Sequence, residues 1–377
     1  MYYDLTRGKI SRSLILFALP MIAGNLLQQF YNIADTLIVG RVLGSNALAA
    51  VGSSYTLMTF LTSIFLGLSM GAGALFSIYQ GRKDLSSLKL SILHAFLLIL
   101  AVTLVLNLAV YAGIEPILTF LRVPDEVRPG MRTYLLIIFA GLIATSVYNF
   151  FSCMLRALGN SSVPLIFLAV SAVLNIALDL LFVAVLPFGI AGAALATVLA
   201  QYVSAVGILL YVLLRCRMWL PSKKEWRFSH SILKEILNLS SMTCIQQSVM
   251  NFGILMVQGL VNSFGPAVMA AFAAAVKIDT FAYLPVQDFG NAYSTFTAQN
   301  YGAGKPDRIW MGIKSATLMM TVYVIAIGAL MWGLAEKFAL LFISPDETEI
   351  IDDTALFLHI NTSFFFLLGM LSILRYT

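Results

Sequence analysis

Residues 163–186 read VPLIFLAVSAVLNIALDLLFVAVL, an apolar run broken only by Ser171, Asn175 and Asp179. About 20 apolar residues, rising 1.5 Å each as helix, cross the hydrocarbon layer of a bilayer. Asn175 and Asp179 stand four residues apart and share a helix face. A carboxylate at that depth is costly unless it meets a partner or a wet cavity, so Asp179 is a functional candidate by default.

The rest of the chain extends this reading. Of 377 residues 60% are hydrophobic and 11% charged, and the mean hydropathy is +0.90. That balance belongs to an integral membrane protein. Apolar runs predict ten spans, at 14–39, 47–79, 90–114, 132–157, 164–186, 189–214, 232–262, 267–300, 310–335 and 352–376. Alternating them from a cytoplasmic N-terminus leaves only Arg41, Arg122, Arg128, Arg132 and Lys337 outside. Lys277 falls within a span, and the other 17 of the 23 basic residues lie inside, as the positive-inside rule requires. The net charge of +5 therefore reports topology. No basic surface interleaved with aromatics points to nucleic acid.

The first run is too long for a cleaved signal peptide and is expected to remain as a span. Cys153, Cys216 and Cys244 are an odd set placed inside or within a span, so no extracellular disulfide is expected. His94, His230 and His359 show no metal spacing.

A shift of 221 residues lays the first two spans on the seventh and eighth: Gly44 meets Gly265, Thr59 and Phe60 meet Thr280 and Phe281, and Gly81 meets Gly302. A shift of 219 lays Leu155 and Arg156 on Leu374 and Arg375. This predicts an all-α polytopic protein of two pseudo-symmetric six-helix lobes in parallel repeat, with ten of twelve spans present. The expected divisions are a first lobe at 1–214, a cytoplasmic linker at 215–231 around RCRMWLPSKKEWR, and a second lobe of four spans at 232–377. Two further helices are expected beyond Thr377.

The opening FALPMIAGNLLQQFYNIADTLIVGRVLG, the segment MLRALGNSSVP, the core NIALD, the turn GIAGAALATVLAQ and the segment TAQNYGAGK together resemble the multidrug and toxic compound extrusion (MATE) family, nearest its DinF-like group. Asp35 in the first span, Asn175 and Asp179 in the fifth and Thr197 in the sixth all offer oxygen ligands. Such a set suits a hard cation such as sodium, or protons shared between acids. The resemblance implies that these positions form the cation-coupling site. Plainer roles stand beside that one: a capping aspartate at Asp35, an interhelical hydrogen bond from Asn175, a bond from Thr197 to its own helix. Pro20 removes a backbone hydrogen bond inside the first span, and the resemblance implies a hinge there, with a fixed packing kink as the alternative.

The eighth span carries Lys277, Asp279, Tyr283, Gln287 and Asp288, more polarity than a lipid-facing helix tolerates. Asp279 and Tyr283 share a face and are read as substrate or cavity candidates. Lys277 and Asp288 return to nearly one azimuth, as a charge partner, an ion pair or a support for the backbone near Pro285. Another branch of the family places acids in spans seven and ten, where this chain has Gln246, Gln247, His359 and Asn361, so that site does not carry over.

The expected function is secondary active export of amphipathic, cationic organic molecules by antiport with protons or sodium. The expected setting is a multi-pass monomer in the plasma membrane, surrounded by lipid, with no cofactor beyond the coupling ion. A lipid-linked saccharide flippase predicts more cationic charge within the spans than Lys277 supplies. A polytopic enzyme predicts clustered catalytic groups in the loops, and GAGK at 302–305 is only a fragment of a phosphate loop.

Overall fold

The computed structural model describes residues 3–375 apart from 121, 122, 124, 223, 224, 263, 265, 342 and 344, so Arg122, Lys223, Lys224, Gly265 and Thr377 fall outside it. Among the described residues every regular element is helical. The first half contains α1 (Ile10–Leu43), α2 (Ser45–Arg82), α3 (Leu85–Ala112), α4 (Ile114–Phe120), α5 (Arg128–Ala140), α6 (Leu142–Ala157), α7 (Ser162–Asp179) and α8 (Gly189–Arg215). The second contains α9 (His230–Asn262), α10 (Pro266–Gly302), α11 (Pro306–Gly333), α12 (Ala335–Ala339), α13 (Thr348–Ser363) and α14 (Phe365–Arg375).

Among the described residues seven helices are long and apolar enough to cross a membrane, and up to nine spans result if each of two bent pairs counts as one. The helix α9, 33 residues long, occupies the remaining expected segment. The bent pairs are a finding that hydropathy does not carry: α5 and α6 meet at 44°, α13 and α14 at 47°. At the first bend a Cβ on Gly141 would lie 2.4 Å from Gln201 Oε1 and 3.1 Å from the Ile138 carbonyl. Only glycine lets α8 approach so closely there.

The repeat is visible in the helix ends. Both ends of α3 and α11 are 221 residues apart. Lys83 (φ 58°) and Gly304 (φ 66°) close α2 and α10 in the left-handed region. The flanking hydrogen bonds match residue for residue: Asp84 N–H to Tyr79 O (3.1 Å) corresponds to Lys305 N–H to Asn300 O (3.0 Å). The C-terminal motif differs in one respect: glycine takes the left-handed turn without strain, whereas lysine does so at a cost. After it, Asp84 caps α3 by accepting from Ser87 N–H at 3.0 Å.

Each of the two compact units takes in part of α1 and part of α9. Unit one comprises Ala23–Ser248 and unit two Tyr3–Ile22 with Val249–Thr377. Thus α1 changes unit between Ile22 and Ala23, and α9 does so between Ser248 and Val249. Packing explains the second case. A Cβ on Gly71 of α2 would lie 2.4 Å from Ser240 Cα of α9, and Ser240 Oγ donates to Leu68 O at 3.1 Å. The first part of α9 is thereby held backbone to backbone against unit one. The core of this unit includes Phe65, Phe76, Phe139 and Phe150, all nearly or fully buried; that of unit two is built on Leu14, Phe17, Tyr293 and Phe296.

The linker is docked on α3. Lys89 Nζ bridges both Glu225 oxygens at 3.0 and 3.2 Å, and Ser222 N–H donates to Glu225 at 2.7 Å. The Ser222 backbone N–H, then Lys89, hold the Glu225 carboxyl down to about 2. Nearby, His94 Nε2 accepts from Ser229 N–H at 3.0 Å while Nδ1 lies 2.8 Å from Leu90 O, which fixes the proton on Nδ1.

Candidate functional site

In unit one, α7 carries Asn175 and Asp179 one turn apart on its buried face, 2% and 0% exposed. The carboxyl of Asp35, from α1, faces that of Asp179 at close range. From α8, Thr197 Oγ1 accepts from Asn175 Nδ2 at 3.3 Å and donates to Ala193 O at 3.1 Å. The hydroxyl thus makes the helix bond of the plainer reading and still faces the amide. All four candidates converge.

Their unmet capacity is one-sided. Asp35 Oδ1, both oxygens of Asp179 and Asn175 Oδ1 are buried and receive no hydrogen bond. Every one is an acceptor. Two bare carboxylates in contact repel, and a buried acceptor without a donor loses its hydration for nothing in return. A shared proton or a hard cation removes both penalties at once.

The local backbone is built for this. The α-helical register of α7 stops at Asp179, and Leu180–Val185 continues as a π-helix, with Leu186 N–H reaching Leu181 O at 2.8 Å. Such wide turns recur at functional sites because they set a side chain off the regular ladder. A Cβ on Gly192 of α8 would lie 2.9 Å from Phe182 O, so glycine admits the wide turn against α8.

Two tyrosines join the site that hydropathy and spacing did not single out. Tyr134 of α5, 5% exposed, lies within electrostatic reach of both carboxyls. Tyr31 lies in reach of Asp35. Its place one turn before Asp35 was a legible signal; Tyr134 had none, because only tertiary packing brings α5 there. Pro20 is half-buried inside α1, within one turn of the point where that helix changes unit.

In unit two, Asp279 of α10 hydrogen-bonds Asn361 of α13, and its Oδ1 is otherwise buried without a donor. Tyr283, one turn on, is in electrostatic reach of Asp279 and of Arg375 from α14. Arg375 Nη1 also lies 3.7 Å from Met250 Sδ. Asp279 and Tyr283 therefore share a face as expected, and Asn361, which marked a departure from another branch, turns out to be the partner of the acid. The shared azimuth of Lys277 and Asp288 gives no shared setting: Lys277 is exposed while Asp288 is 1% exposed, and Gln287 is half-buried. His359 packs on Trp332, ring centroids 4.5 Å apart, with Nε2 3.0 Å from the Trp332 carbonyl.

The chain resembles known proteins over nearly its full length. It is 32% identical over 348 residues to the probable multidrug resistance protein YpnP of Bacillus subtilis (strain 168), covering 92% of this chain and 77% of that one. The probable multidrug resistance protein YoeA of the same organism is 27% identical over 361 residues, 92% and 76% of the two chains. A solved outward-facing multidrug resistance MATE family transporter of the MOP superfamily superposes with a TM-score of 0.90, at 22% identity, over 99% of this chain and 85% of that one. The family described as MatE matches residues 20–181 and 240–377. The match takes in both repeats, the helices bearing Asp35 and Asp179, and the helix bearing Asp279: the chain belongs to the MatE family of multi-pass membrane transporters, which are not enzymes.

Proposed function

We propose that the protein is a secondary active exporter of amphipathic, cationic organic molecules, driven by antiport of protons or sodium through the acceptor cluster of unit one. The observation that carries this is the contact between Asp35 and Asp179 inside a set of buried oxygens with no donor. Names of relatives such as YpnP support a multidrug substrate range. A ligand exchanged at this cluster acts on α1, α7 and α8 together, and α1 is a helix shared by both units. A conformational change follows only from a ligand that binds two states unequally, and a cation neutralising two facing carboxyls meets that condition. Asp279, Tyr283 and Asn361 in unit two are assigned to the organic substrate. The protein acts as a monomer in the plasma membrane with its N-terminus in the cytoplasm.

The experiment is dye efflux from proteoliposomes under imposed pH or sodium gradients, for the wild type and Asp179→Asn. Gradient-driven efflux is expected in the wild type and absent in the variant at equal protein content. The gradient that drives it identifies the ion. Unchanged coupling in Asp179→Asn sinks the proposal.

A further inference from the structure

The segment ahead of α1 is fastened to unit two more elaborately than a chain end requires. Leu5 is fully buried in the core of that unit. Around it, the carbonyls of four consecutive residues are taken by side chains from the corner between α10 and α11. Arg308 donates through Nε and Nη2 to Leu5 O (both 3.3 Å), through Nη2 to Arg7 O (2.8 Å) and through Nη1 to Gly8 O (2.9 Å). Asn300 Nδ2 also reaches Leu5 O at 3.2 Å, and Lys305 Nζ reaches Thr6 O at 2.8 Å. Gly8, at φ 74°, lets the backbone curl around the guanidinium. The guanidinium lies 5.6 Å from the Phe296 ring centroid, and the Ser11 and Ser315 hydroxyls pair at 2.8 Å one step further along.

This fork-shaped donor is the right tool for the task. A planar guanidinium satisfies several carbonyls in one fixed geometry, whereas an ammonium is a mobile point charge. The fastening is also placed where it matters for Asp35. Residues 3–22 belong to unit two, Pro20 interrupts the ladder of the same helix, and the remainder of α1, which bears Asp35, belongs to unit one. The first part of α9 is secured to its unit by close packing at Gly71 and Ser240; the first part of α1 has this clasp ahead of it.

We propose that Arg308 is a positioning residue for transport. It locks residues 5–8 onto the corner between α10 and α11, so that the opening turns of α1 stay with unit two while the part bearing Asp35 responds to the coupling ion. The inference rests on the antiport reading above, and it makes a claim about local order that stands apart from transport. Arg308 touches neither acid cluster, so its loss slows the conformational step without altering ligand affinity.

The test combines amide hydrogen exchange with initial rates of gradient-driven dye efflux for full-length wild type, Arg308→Ala, Arg308→Lys and Lys305→Ala. In Arg308→Ala, exchange at residues 6–16 is expected to rise by about tenfold or more, with the core of unit one unchanged. The maximal efflux rate is expected to fall by about tenfold at constant KM, with partial recovery in Arg308→Lys, which keeps the charge and loses the fork. Unaltered exchange in Arg308→Ala overturns the lock, and raised exchange with an unaltered rate, or a changed KM alone, overturns its role in transport. Should Arg308→Ala not fold, the same two readings on Arg308→Lys and Lys305→Ala decide the matter. A wild type without gradient-driven efflux defeats the antiport reading and the positioning role with it, whereas the exchange comparison then still decides the lock.

Discussion

The two units repeat a scaffold and differ in chemistry. In unit one, two carboxyls face each other with an amide and a hydroxyl beside them, and four buried acceptor oxygens go without a donor. In unit two, a single carboxyl is paired with an amide, and a tyrosine links it electrostatically to an arginine. The helix α10 stands 221 residues after α2, yet the position corresponding to Asp279 in α2 is Met58. Repetition therefore conserves the long helices, the left-handed turn after α2 and α10 and the bends, which packing demands, and leaves the interior polar groups free to diverge. A cluster of facing bare acceptors must acquire a cation or a proton, whereas a lone acid with one amide partner faces no second carboxyl to repel it.

The sharpest way to break this comparison is to neutralise one acid in each unit. Asp35→Asn is expected to abolish gradient-driven efflux, a loss of about a hundredfold or more, while Asp279→Asn retains gradient dependence and raises KM about tenfold. Loss of coupling in Asp279→Asn would instead make the two clusters equivalent. Next in size is the backbone contact that holds α9. Gly71→Leu must push Ser240 away, and overpacking of this kind costs about 1–3 kcal/mol or more. A lowered melting temperature in detergent is the readout, with Gly253→Leu, where nothing lies within 4 Å of the added Cβ, as the control expected to change little. Within unit one, Thr197→Val leaves the Asn175 amide without its acceptor. This is worth about 1 kcal/mol, a severalfold weaker response to the driving ion with the maximal rate kept, measured by titrating the gradient.

The smallest effect concerns the linker. The Glu225 carboxyl sits at about 2 in the folded chain against an ordinary 4.5, so its contribution is complete above the ordinary value and fades as pH falls toward 2. Amide exchange at the linker is expected to be flat between about pH 8 and 5, after allowance for intrinsic rates. A rise near neutrality would place the control elsewhere than on Glu225.

Much of this was legible in the sequence because hydropathy and helical spacing are local. The ten apolar segments, the 221-residue offset, and the alignment of Asn175 with Asp179 all follow from distances along one chain. Convergence of Asp35 with Asp179 depended on a family resemblance, since nothing in the residues themselves places α1 against α7. The bends at Gly141 and Phe364 were not legible, because a continuous apolar run looks alike whether straight or broken. Asn361 and Arg375 escaped for the opposite reason: read along their own helices they are an isolated amide and a terminal base, and only the packing of α13 and α14 on α10 gives them meaning. Contacts assign the opening of each repeat to the unit built on the other half, a long-range property that a polar linker does not report.

That reciprocal assignment has a practical corollary for dissecting the molecule. Cutting the chain in the linker yields an amino-terminal fragment that carries Leu5, Leu14 and Phe17 without the wall they insert into, and a carboxy-terminal fragment that carries Ser240 without the groove at Gly71. Neither piece would be self-sufficient, and each would present the missing portion of the other. Co-expressed, the two pieces should behave like a severed zipper that still closes, finding one another through exchanged helix segments.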